Sequence, residues 1–442
     1  MTPARSPFGQ PIPPSAVATM AATRRRFLKG SLLGATALAV PSLLAACGGD
    51  DGGSGAGSAV KFGINEASGS GAAYDRLKAM ADAYAEKSGS EVALNAVDHN
   101  TFQENINTYL QGSPDDVFTW FAGYRMAQFA ESGLISDVSD VWPIDGMNDA
   151  FKASATAPDG KQYFVPKDYY PWAVFYLKSV WEKNGYTPPT TLDELTTLMK
   201  QMQGDDVTPF AFADKDGWPA MGTFDILNMR INGYDFHISL MNGDEEWDSA
   251  EVKQVFDTWR GLLPYHQADP LGRTWQEAAT SLGKGECGMY LLGTFVVDGI
   301  PDLEDDLDFF TFPELDSSIG SDALDAPIDG FCLAAGGGNQ DGGKEMLKWL
   351  GTAEAADAAN STGTPFIAAN ADASTENYSA LQKKSAEVVG AAANIAQFLD
   401  RDTRADFAST VIIPSLQAFL KDPDDIDGVT QSIQEQKESI FV

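Results

Sequence analysis

Short apolar runs alternate with segments of helical periodicity along the first part of the chain. Val60–Asn65 alternates apolar and polar positions and predicts a first strand. Apolar side chains then recur at helical spacing from Tyr74 to Tyr84, and Ser88-Gly89 predicts the end of that helix. The same patterns predict strands at 92–97 and 116–120 and helices at 102–110 and 126–131. This order of strand, helix, strand and helix predicts a parallel α/β sheet.

The later part of the chain shows a second group of apolar runs. Strands are predicted at 172–177, 287–292 and 331–335. Thr191 and Glu194 have the spacing of a capping box, so a helix is predicted to begin at Leu192. The C-terminal third is rich in alanine and is predicted to be mostly helical. A chain of 442 residues exceeds one ordinary core, so two domains are expected.

The N-terminus has basic residues, an apolar run and a cysteine in the order of an export signal. Arg24-Arg25 followed by Phe-Leu-Lys resembles the twin-arginine (Tat) motif, and residues 30–46 are too short for a membrane span. Leu-Ala-Ala-Cys47 resembles the lipobox of bacterial lipoproteins. We expect residues 1–46 to be a Tat-type lipoprotein signal peptide, Cys47 to carry the lipid and residues 47–59 to form a Gly/Ser/Asp tether. The protein is then extracytoplasmic and lipid-anchored to the outer face of the cytoplasmic membrane; an ordinary secreted protein is the alternative.

Charge and composition exclude several kinds of partner. The chain has 30 basic and 63 acidic side chains and a net charge of −33, which repels nucleic acid and anionic lipid surfaces. We therefore expect no nucleic-acid partner, no membrane contact other than the lipid anchor, and a monomer. No Cys/His spacing fits zinc, so neither a metal nor a cofactor is expected. Cys287 and Cys332 lie in apolar runs, which favours two separate buried thiols over a disulfide.

Five motifs occur in the same order as in a known family. They are the turn Gly112–Val117, the helix end Phe129–Ile135, the segment Leu177–Gly185, the Pro-Pro-x-Thr-x-x-Glu-Leu run Pro188–Leu195 and the strand entry Gly283–Met289. With these motifs the chain resembles the family 1 extracellular solute-binding proteins of ABC sugar importers, the group that includes maltose-binding protein. The resemblance covers nearly all of residues 60–442.

The resemblance implies an α/β, two-lobe periplasmic-binding-protein-like fold of class II, with the ligand cleft between the lobes. It places lobe I at residues 60–166 and 330–364, lobe II at 167–329 and 365–442, and the crossovers near 165–168, 329–333 and 362–367. It also implies a receptor rather than an enzyme, which delivers a mono- or oligosaccharide to the transmembrane subunits of an ABC permease. Tyr124 replaces an acidic residue of maltose-type relatives, which argues against maltose itself.

A sugar has a hydroxyl rim and apolar C–H faces, so its site needs aromatic faces and polar groups that bond pairs of hydroxyls. The carboxyl ends of parallel strands line one edge of a sheet. The residues that follow the first three predicted strands are therefore expected to contact the ligand; they are Asn65, Glu66, His99, Trp120, Tyr124 and Arg125. The resemblance adds candidates from the crossovers and lobe II: Lys167, Asp168, Tyr170, Trp172, Trp218, Asp225, Phe295, Asp329, Asp400 and Arg401.

The tryptophans divide into two groups. Trp218 lies between glycine and proline in a predicted loop, so we expect it to be an exposed stacking surface. Helical and turn patterns surround four others, which are expected in the core: Trp142, Trp181, Trp259 and Trp349.

Two other functions fit parts of the sequence. A secreted glycosidase would need a pair of carboxylates, for which Asp168, Asp225 and Asp329 are available, although their spacing singles out no acid and nucleophile. A ferric-ion receptor on the same fold would use the adjacent Tyr169 and Tyr170, but no histidine lies near them in the sequence.

Overall fold

The computed structural model describes residues 59–69, 71–321, 323–363 and 366–441. The predicted signal peptide, Cys47 and all of the predicted tether except Ala59 lie outside the described residues. Within the described part of the chain, no helix has the length and apolar character needed to cross a membrane.

A first sheet carries the N-terminal strands. It consists of β1 (Val60–Ile64), β2 (Val92–Ala96), β3 (Val117–Phe121), β4 (Val165–Tyr169) and β10 (Ile328–Leu333), in the order β2-β1-β3-β10-β4. The parallel prediction is confirmed for β1, β2 and β3. Strand β10, for which the sequence predicts no orientation, is antiparallel to β3 and β4, because the chain enters this strand at the carboxyl edge of the others, with Asp329 opposite Phe121.

A second sheet lies in the middle of the chain. It is built from β5 (Trp172–Leu177), β6 (Thr208–Ala211), β7 (Cys287–Gly293) and β8 (Leu307–Phe310), in the order β6-β7-β5-β8. Strand β5 is antiparallel to both of its neighbours. A small parallel pair joins β9 (Ala323–Asp325) to β11 (Asn394–Ala396).

Helices surround the sheets and dominate the C-terminal third, as predicted. Those of eight or more residues are Ala72–Ser88, His99–Gln111, Tyr124–Glu131, Leu192–Gly204, Pro219–Asn232, Tyr234–Asn242, Ala250–Leu262, Trp275–Gly283, Gln340–Leu350, Ala353–Asn360, Ala380–Ala391, Ile413–Lys421 and Ile426–Ile440. Shorter ones span Asp149–Ser154, Lys178–Asn184, Val296–Gly299, Leu399–Asp402 and Ala405–Phe407.

Local sequence signals set several helix boundaries. Gly89 ends the first helix in the left-handed conformation at φ 69°, which glycine adopts without a Cβ clash. Thr191 caps its helix by accepting the N–H of Glu194, as predicted. The Glu194 carboxylate, however, accepts the N–H of Thr190 at 2.7 Å, one residue before the cap, so the expected capping box is only partly formed.

Each sheet has its own hydrophobic core. Strand β3 is buried at every position because helices cover both faces of its sheet, and its sequence is therefore apolar except for Thr119. Trp142 and Trp349 lie in the core around the first sheet, and Trp181 and Trp259 in the core around the second, which confirms their assignment. Cys287 and Cys332 are free buried thiols in different sheets, so they form no disulfide.

Three segments run side by side where the two cores meet. Asp168 of β4 lies opposite Asp329 of β10 on one side and opposite Ala368 on the other. The N–H of Tyr169 donates to the carbonyl of Ile367 at 3.2 Å, and backbone bonding on this second side is therefore sheet-like. This strip adjoins the cavity described next.

Candidate functional site

A cavity of about 50 Å³ lies at the carboxyl ends of β1 and β3, beside the strip of three segments. Polar side chains form most of its lining, and an aromatic pair closes one wall. The lining residues are Asn65, Glu66, Ala73, Arg76, Leu77, His99, Thr119, Trp120, Phe121, Lys167, Asp329 and Gly330.

A chain of hydrogen bonds fixes the orientation of two lining side chains. The N–H of Asn65 donates to Oγ1 of Thr119 at 2.9 Å, and the Thr119 hydroxyl donates to Oδ1 of Asn65 at 2.8 Å. The Asn65 amide nitrogen therefore faces Nδ1 of His99, at 3.3 Å. Burial lowers the pKa of His99, so the ring is neutral. Because Nδ1 accepts from the amide, the ring proton lies on Nε2, and His99 presents a hydrogen-bond donor.

Carboxyl groups on the opposite side are held at raised pKa values. Burial raises the pKa of Glu66 to about 7, although Lys167 acts in the other direction. Nζ of Lys167 lies 3.3 Å from Oδ2 of Asp168, yet burial still raises the pKa of Asp168 to about 6. Desolvation of the charged form explains both shifts. The cavity therefore offers carboxyl acceptors and an ammonium donor within one small volume.

Two arginines connect the lobe of the first sheet to the lobe of the second. Nη1 of Arg125 lies 2.8 Å from Oδ2 of Asp400, with the guanidinium 4.8 Å from the Trp120 ring centroid. Nη1 of Arg401 lies 2.9 Å from Oδ1 of Asp329, which lines the cavity. The Arg401 guanidinium also stacks over Phe121 at 4.2 Å. Both arginines are largely buried, so these ion pairs are weakly screened by solvent.

An aromatic cluster continues this network into the second lobe. The Tyr170 hydroxyl accepts from Nη2 of Arg401 at 3.3 Å, and the Tyr170 ring meets Phe295 edge-on at 5.4 Å. Trp172 also contacts Phe295, and its ring centroid lies 4.8 Å from that of Phe398. The other members of the cluster are Trp218 and Trp275, which both contact Phe295. The half-buried members of the cluster, Tyr170, Trp218, Trp275 and Phe295, retain exposed aromatic surface of the kind that a sugar ring requires.

Two polar contacts join the lobes at the periphery. Nη2 of Arg76 lies 3.4 Å from Oδ2 of Asp298. The Asn100 amide donates to Oδ1 of Asp216 at 3.1 Å. Arg76 and Asn100 belong to the first lobe, and the two aspartates to the second. We call these two contacts the rim pairs.

The structure brings most of the predicted site residues together. Six line the cavity: Asn65, Glu66, His99, Trp120, Lys167 and Asp329. Arg125, Asp168, Tyr170, Asp400 and Arg401 adjoin it through the ion pairs and the Tyr170–Arg401 hydrogen bond, and Trp172, Trp218 and Phe295 belong to the aromatic cluster. Trp218 is half-buried, which corrects the expectation of an exposed loop residue.

Two predicted residues lie away from the cavity. Tyr124 is 38% exposed at the start of its helix. Asp225 is fully buried in the second lobe, where Oδ2 accepts the N–H of Leu399 at 2.6 Å. Asp225 lies away from the cavity because the helix Pro219–Asn232 begins directly after Trp218 and carries Asp225 inward.

Sequence reasoning missed several residues of the site. Phe121 is the last residue of β3 and lines the cavity, so the strand-end rule used for Trp120 also covers it. Arg76 lies in the first turns of the helix that follows β1. A basic residue so close to the carboxyl end of a strand could have been predicted to reach the same edge of the sheet. Trp275 had no local signal, because only the packing of its helix brings it to Phe295.

The described residues contain no group of three or more His, Cys, Asp and Glu side chains placed to hold a metal ion. Tyr169 and Tyr170 also have separate surroundings. Tyr169 packs on Phe151 in the first lobe, whereas Tyr170 bonds Arg401.

Comparison with known proteins gives a family match. The model of the family described as bacterial extracellular solute-binding protein matches residues 68–357. An uncharacterized ABC transporter extracellular-binding protein of Pyrococcus horikoshii is 27% identical over 284 residues, which is 62% of this chain and 62% of that protein. A probable sugar-binding periplasmic protein of Mesorhizobium japonicum is 24% identical over 39% of this chain and 42% of its own length. The chain therefore matches less than two thirds of the length of these curated relatives.

Solved structures match over a larger part of the chain. The bacterial solute receptor AcbH, described as having an exclusive preference for β-D-galactopyranose, is 41% identical, with a TM-score of 0.84 over 87% of this chain and 100% of its own. A chitin oligosaccharide binding protein is 20% identical, with a TM-score of 0.75 over 85% of this chain and 98% of its own. The second likeness shows the fold alone. Together with the two sheets and their separate cores, these matches show a two-lobe periplasmic-binding-protein fold with the cleft between the lobes.

Proposed function

The chain belongs to the family of bacterial extracellular solute-binding proteins, and on this premise we propose that it is the receptor of an ABC importer. It captures a sugar between its two lobes and delivers it to the transmembrane subunits of the permease. The observation that carries this proposal is the juxtaposition of the polar cavity at β1 and β3 with the aromatic cluster that begins at Tyr170. Polar groups for hydroxyls and flat faces for C–H surfaces are the two requirements of a pyranose site.

The proposed ligand is a single pyranose, with β-D-galactopyranose as the first candidate. AcbH, whose described preference is for this sugar, supports the choice through its 41% identity. The small volume of the cavity and the ion pairs that join the lobes beside it also favour one ring over a longer chain. His99, Glu66 and Asp329 would bond its hydroxyls, and Lys167 would donate to a ring or hydroxyl oxygen.

Closure of the lobes is the proposed mechanism of capture. The first lobe is proposed to comprise residues 60–166 and 330–364, and the second lobe residues 167–329 and 365–442. The strip formed by Asp168, Asp329 and Ala368 is the proposed hinge between them. A ligand shifts the population toward the closed form only through contacts that the open form lacks. Arg401 is suited to this role, because it follows the second-lobe core and contacts Asp329, which lies on β10 of the first sheet at the proposed hinge.

Calorimetry with D-galactose, D-glucose and lactose tests the function. We expect stoichiometric binding of D-galactose without turnover, and a ligand at a hundred times its Kd adds about 2.7 kcal/mol of stability. Asp329→Asn should weaken binding, whereas Asp116→Asn, at the opposite end of the same sheet, should not. Failure of every sugar to bind, or release of a hydrolysed product, would refute the proposal.

Attachment to the membrane is proposed through Cys47. The Leu-Ala-Ala-Cys box and the twin arginines support export by the Tat route followed by lipidation. Cys47→Ala should yield unlipidated protein that is released or retained as precursor. Normal lipid labelling of this variant would exclude the lipoprotein assignment.

A further inference from the structure

A short segment of the second lobe, residues 397–403, carries two of the residues that bridge to the first lobe. Its helix Leu399–Asp402 presents Asp400 to Arg125 and Arg401 to Asp329. This helix has a single turn and does not stabilise itself. Something outside the segment must therefore fix its conformation.

The backbone at the start of the segment is in a conformation that a phenylalanine rarely adopts. Phe398 has φ 119° and ψ 143°, a region occupied almost only by glycine. A side chain stays there only when its surroundings determine the conformation. The Phe398 ring is thereby placed against Trp172, inside the aromatic cluster.

Two aspartates, the buried Asp225 and the half-buried Asp402, hold the backbone on either side of Phe398. Oδ2 of Asp225 accepts the N–H of Leu399 at 2.6 Å. Oδ2 of Asp402 accepts the N–H of Gln397 at 2.7 Å. Asp225 is fully buried, and its other oxygen has no hydrogen-bond partner among the described residues. Burial raises the pKa of Asp225 well above its usual range, so the buried group is kept in the neutral acid form while Oδ2 still accepts the Leu399 N–H.

We propose that Asp225 and Asp402 are positioning residues that hold segment 397–403 in the conformation that presents Asp400 and Arg401 to the cleft. They touch no ligand. They act through the N–H groups of Leu399 and Gln397, which flank the strained Phe398. The effect on sugar affinity rests on the proposed function, whereas the effect on the segment does not.

The close fit of this segment against the first lobe makes its position critical. A Cβ at Gly123 would lie 2.6 Å from the carbonyl oxygen of Arg401. A small displacement of the segment would therefore either clash with Gly123 or separate Arg401 from Asp329. Rigid placement by Asp225 and Asp402 satisfies this constraint.

The test compares Asp225→Leu with Asp225→Asn, which keeps an acceptor oxygen. The matched control is Asp116→Leu, because Asp116 is also buried and accepts two backbone N–H groups, at the far end of the first sheet. Amide hydrogen exchange is measured without sugar, and affinity for D-galactose by calorimetry, well below the Tm of each variant. If Asp225→Leu does not fold, Asp402→Ala removes the second acceptor instead.

We expect faster exchange across residues 397–403 in Asp225→Leu, at least tenfold weaker binding, and rescue of both by Asp225→Asn. The Asp116→Leu control should leave both unchanged. Unchanged exchange in the segment would overturn the proposal whether or not any sugar binds. Faster exchange with unaltered affinity would overturn the link to ligand binding, while absence of binding by the parent protein would count against the proposed function alone.

Discussion

Glu66 illustrates how a single residue sets the chemistry of the cleft. Its position after β1 places it at the cavity, but only the packing around it raises its pKa to about 7. Near neutral pH the side chain is therefore a mixture of acid and carboxylate. Hydrogen bonds to a charged acceptor contribute about 1.5–3 kcal/mol, against about 0.5–1.5 kcal/mol for neutral ones.

This difference predicts a pH dependence of sugar binding. We expect affinity for D-galactose to fall roughly fivefold as the pH is lowered from 8 to 6, since protonation of Glu66 removes about 1 kcal/mol. Glu66→Gln should abolish that dependence, and Glu86→Gln, on the exposed side of the next helix, should retain it. Calorimetry at three pH values measures the affinity of each variant for D-galactose. A pH profile of Glu66→Gln identical to that of the parent protein would show that Glu66 does not cause the pH dependence.

Trp218 is a second residue whose role depends on its burial. It is half-buried between Trp172 and Phe295 rather than exposed. Trp218→Ala should therefore lower both the Tm and the sugar affinity, the latter by about 1–3 kcal/mol or 5- to 150-fold. Trp349→Ala, in the core of the other lobe, should lower the Tm without this loss. Unchanged affinity in Trp218→Ala would remove it from the binding surface.

At the scale of elements, local patterns predicted strands such as Trp172–Leu177 and the helix start at Leu192, but not their partners. The helix Trp275–Gly283 was not predicted, although a complete capping box at Thr274 and Glu277 sets its start. This local signal positions Trp275 in the first turn. Its contact with Phe295 depends on how the helix packs against the second sheet.

The capping box yields a stability prediction. Thr274→Ala removes the acceptor for the N–H of Glu277 and should lower the free energy of unfolding by about 1 kcal/mol. Thr280→Ala, on the exposed face of the same helix, should change it much less. Chemical denaturation of both variants measures the difference, and equal values would show that the cap contributes nothing here.

The whole molecule responds to pH through several buried acids. Burial raises the pKa values of Glu66, Asp214 and Asp402 to about 7 and of Asp168 to about 6. These four acids bind protons more tightly in the folded protein than in the unfolded chain between these values and about 4, so their contribution to stability falls as pH rises through that interval. Repulsion among acids at a net charge of −33 acts in the same direction. The buried His237 and His266, whose pKa values fall to about 3, act in the opposite direction below about pH 6.5 and are outnumbered.

We therefore expect the protein to be more stable at pH 5.5 than at pH 8. The difference should be at least about 1.4 kcal/mol, the value of one pKa unit for one group. Scanning calorimetry measures it, and Asp214→Asn should reduce the slope. A Tm that rises from pH 5.5 to 8 would contradict the prediction.

Contacts between the lobes give the second prediction at this scale. Asp298→Asn combined with Asn100→Ala weakens the rim pairs without replacing any residue that lines the cavity. The ligand-free protein should shift toward an open form with a larger radius of gyration, and saturating D-galactose should restore the closed value. Small-angle X-ray scattering measures the radius of gyration of the double variant and of a control, Lys344→Ala, which breaks an ion pair within the first lobe. No change in either state would show that the rim pairs do not stabilise closure.

The sequence by itself determined the elements that local patterns encode, the family and the part of the candidate site that lies at the strand ends. Apolar periodicity and capping are local properties, so strands such as Val60–Ile64 and the cap at Thr191 followed directly from neighbouring residues. The ends of parallel strands also share one edge by geometry, which is why Asn65, His99 and Trp120 were found together.

Tertiary structure decided the rest, because it depends on pairs distant in the chain. Arg125 and Asp400 are 275 residues apart, and no local pattern encodes their contact. The same is true of Asp225, whose residue type suited a ligand contact but whose helix turns it inward to Leu399. Side chains become buried and find their partners only when the elements pack. Packing therefore decides which of the suitable side chains line the cavity, which form the ion pairs between the lobes, and which, like Asp225, hold the backbone from beneath.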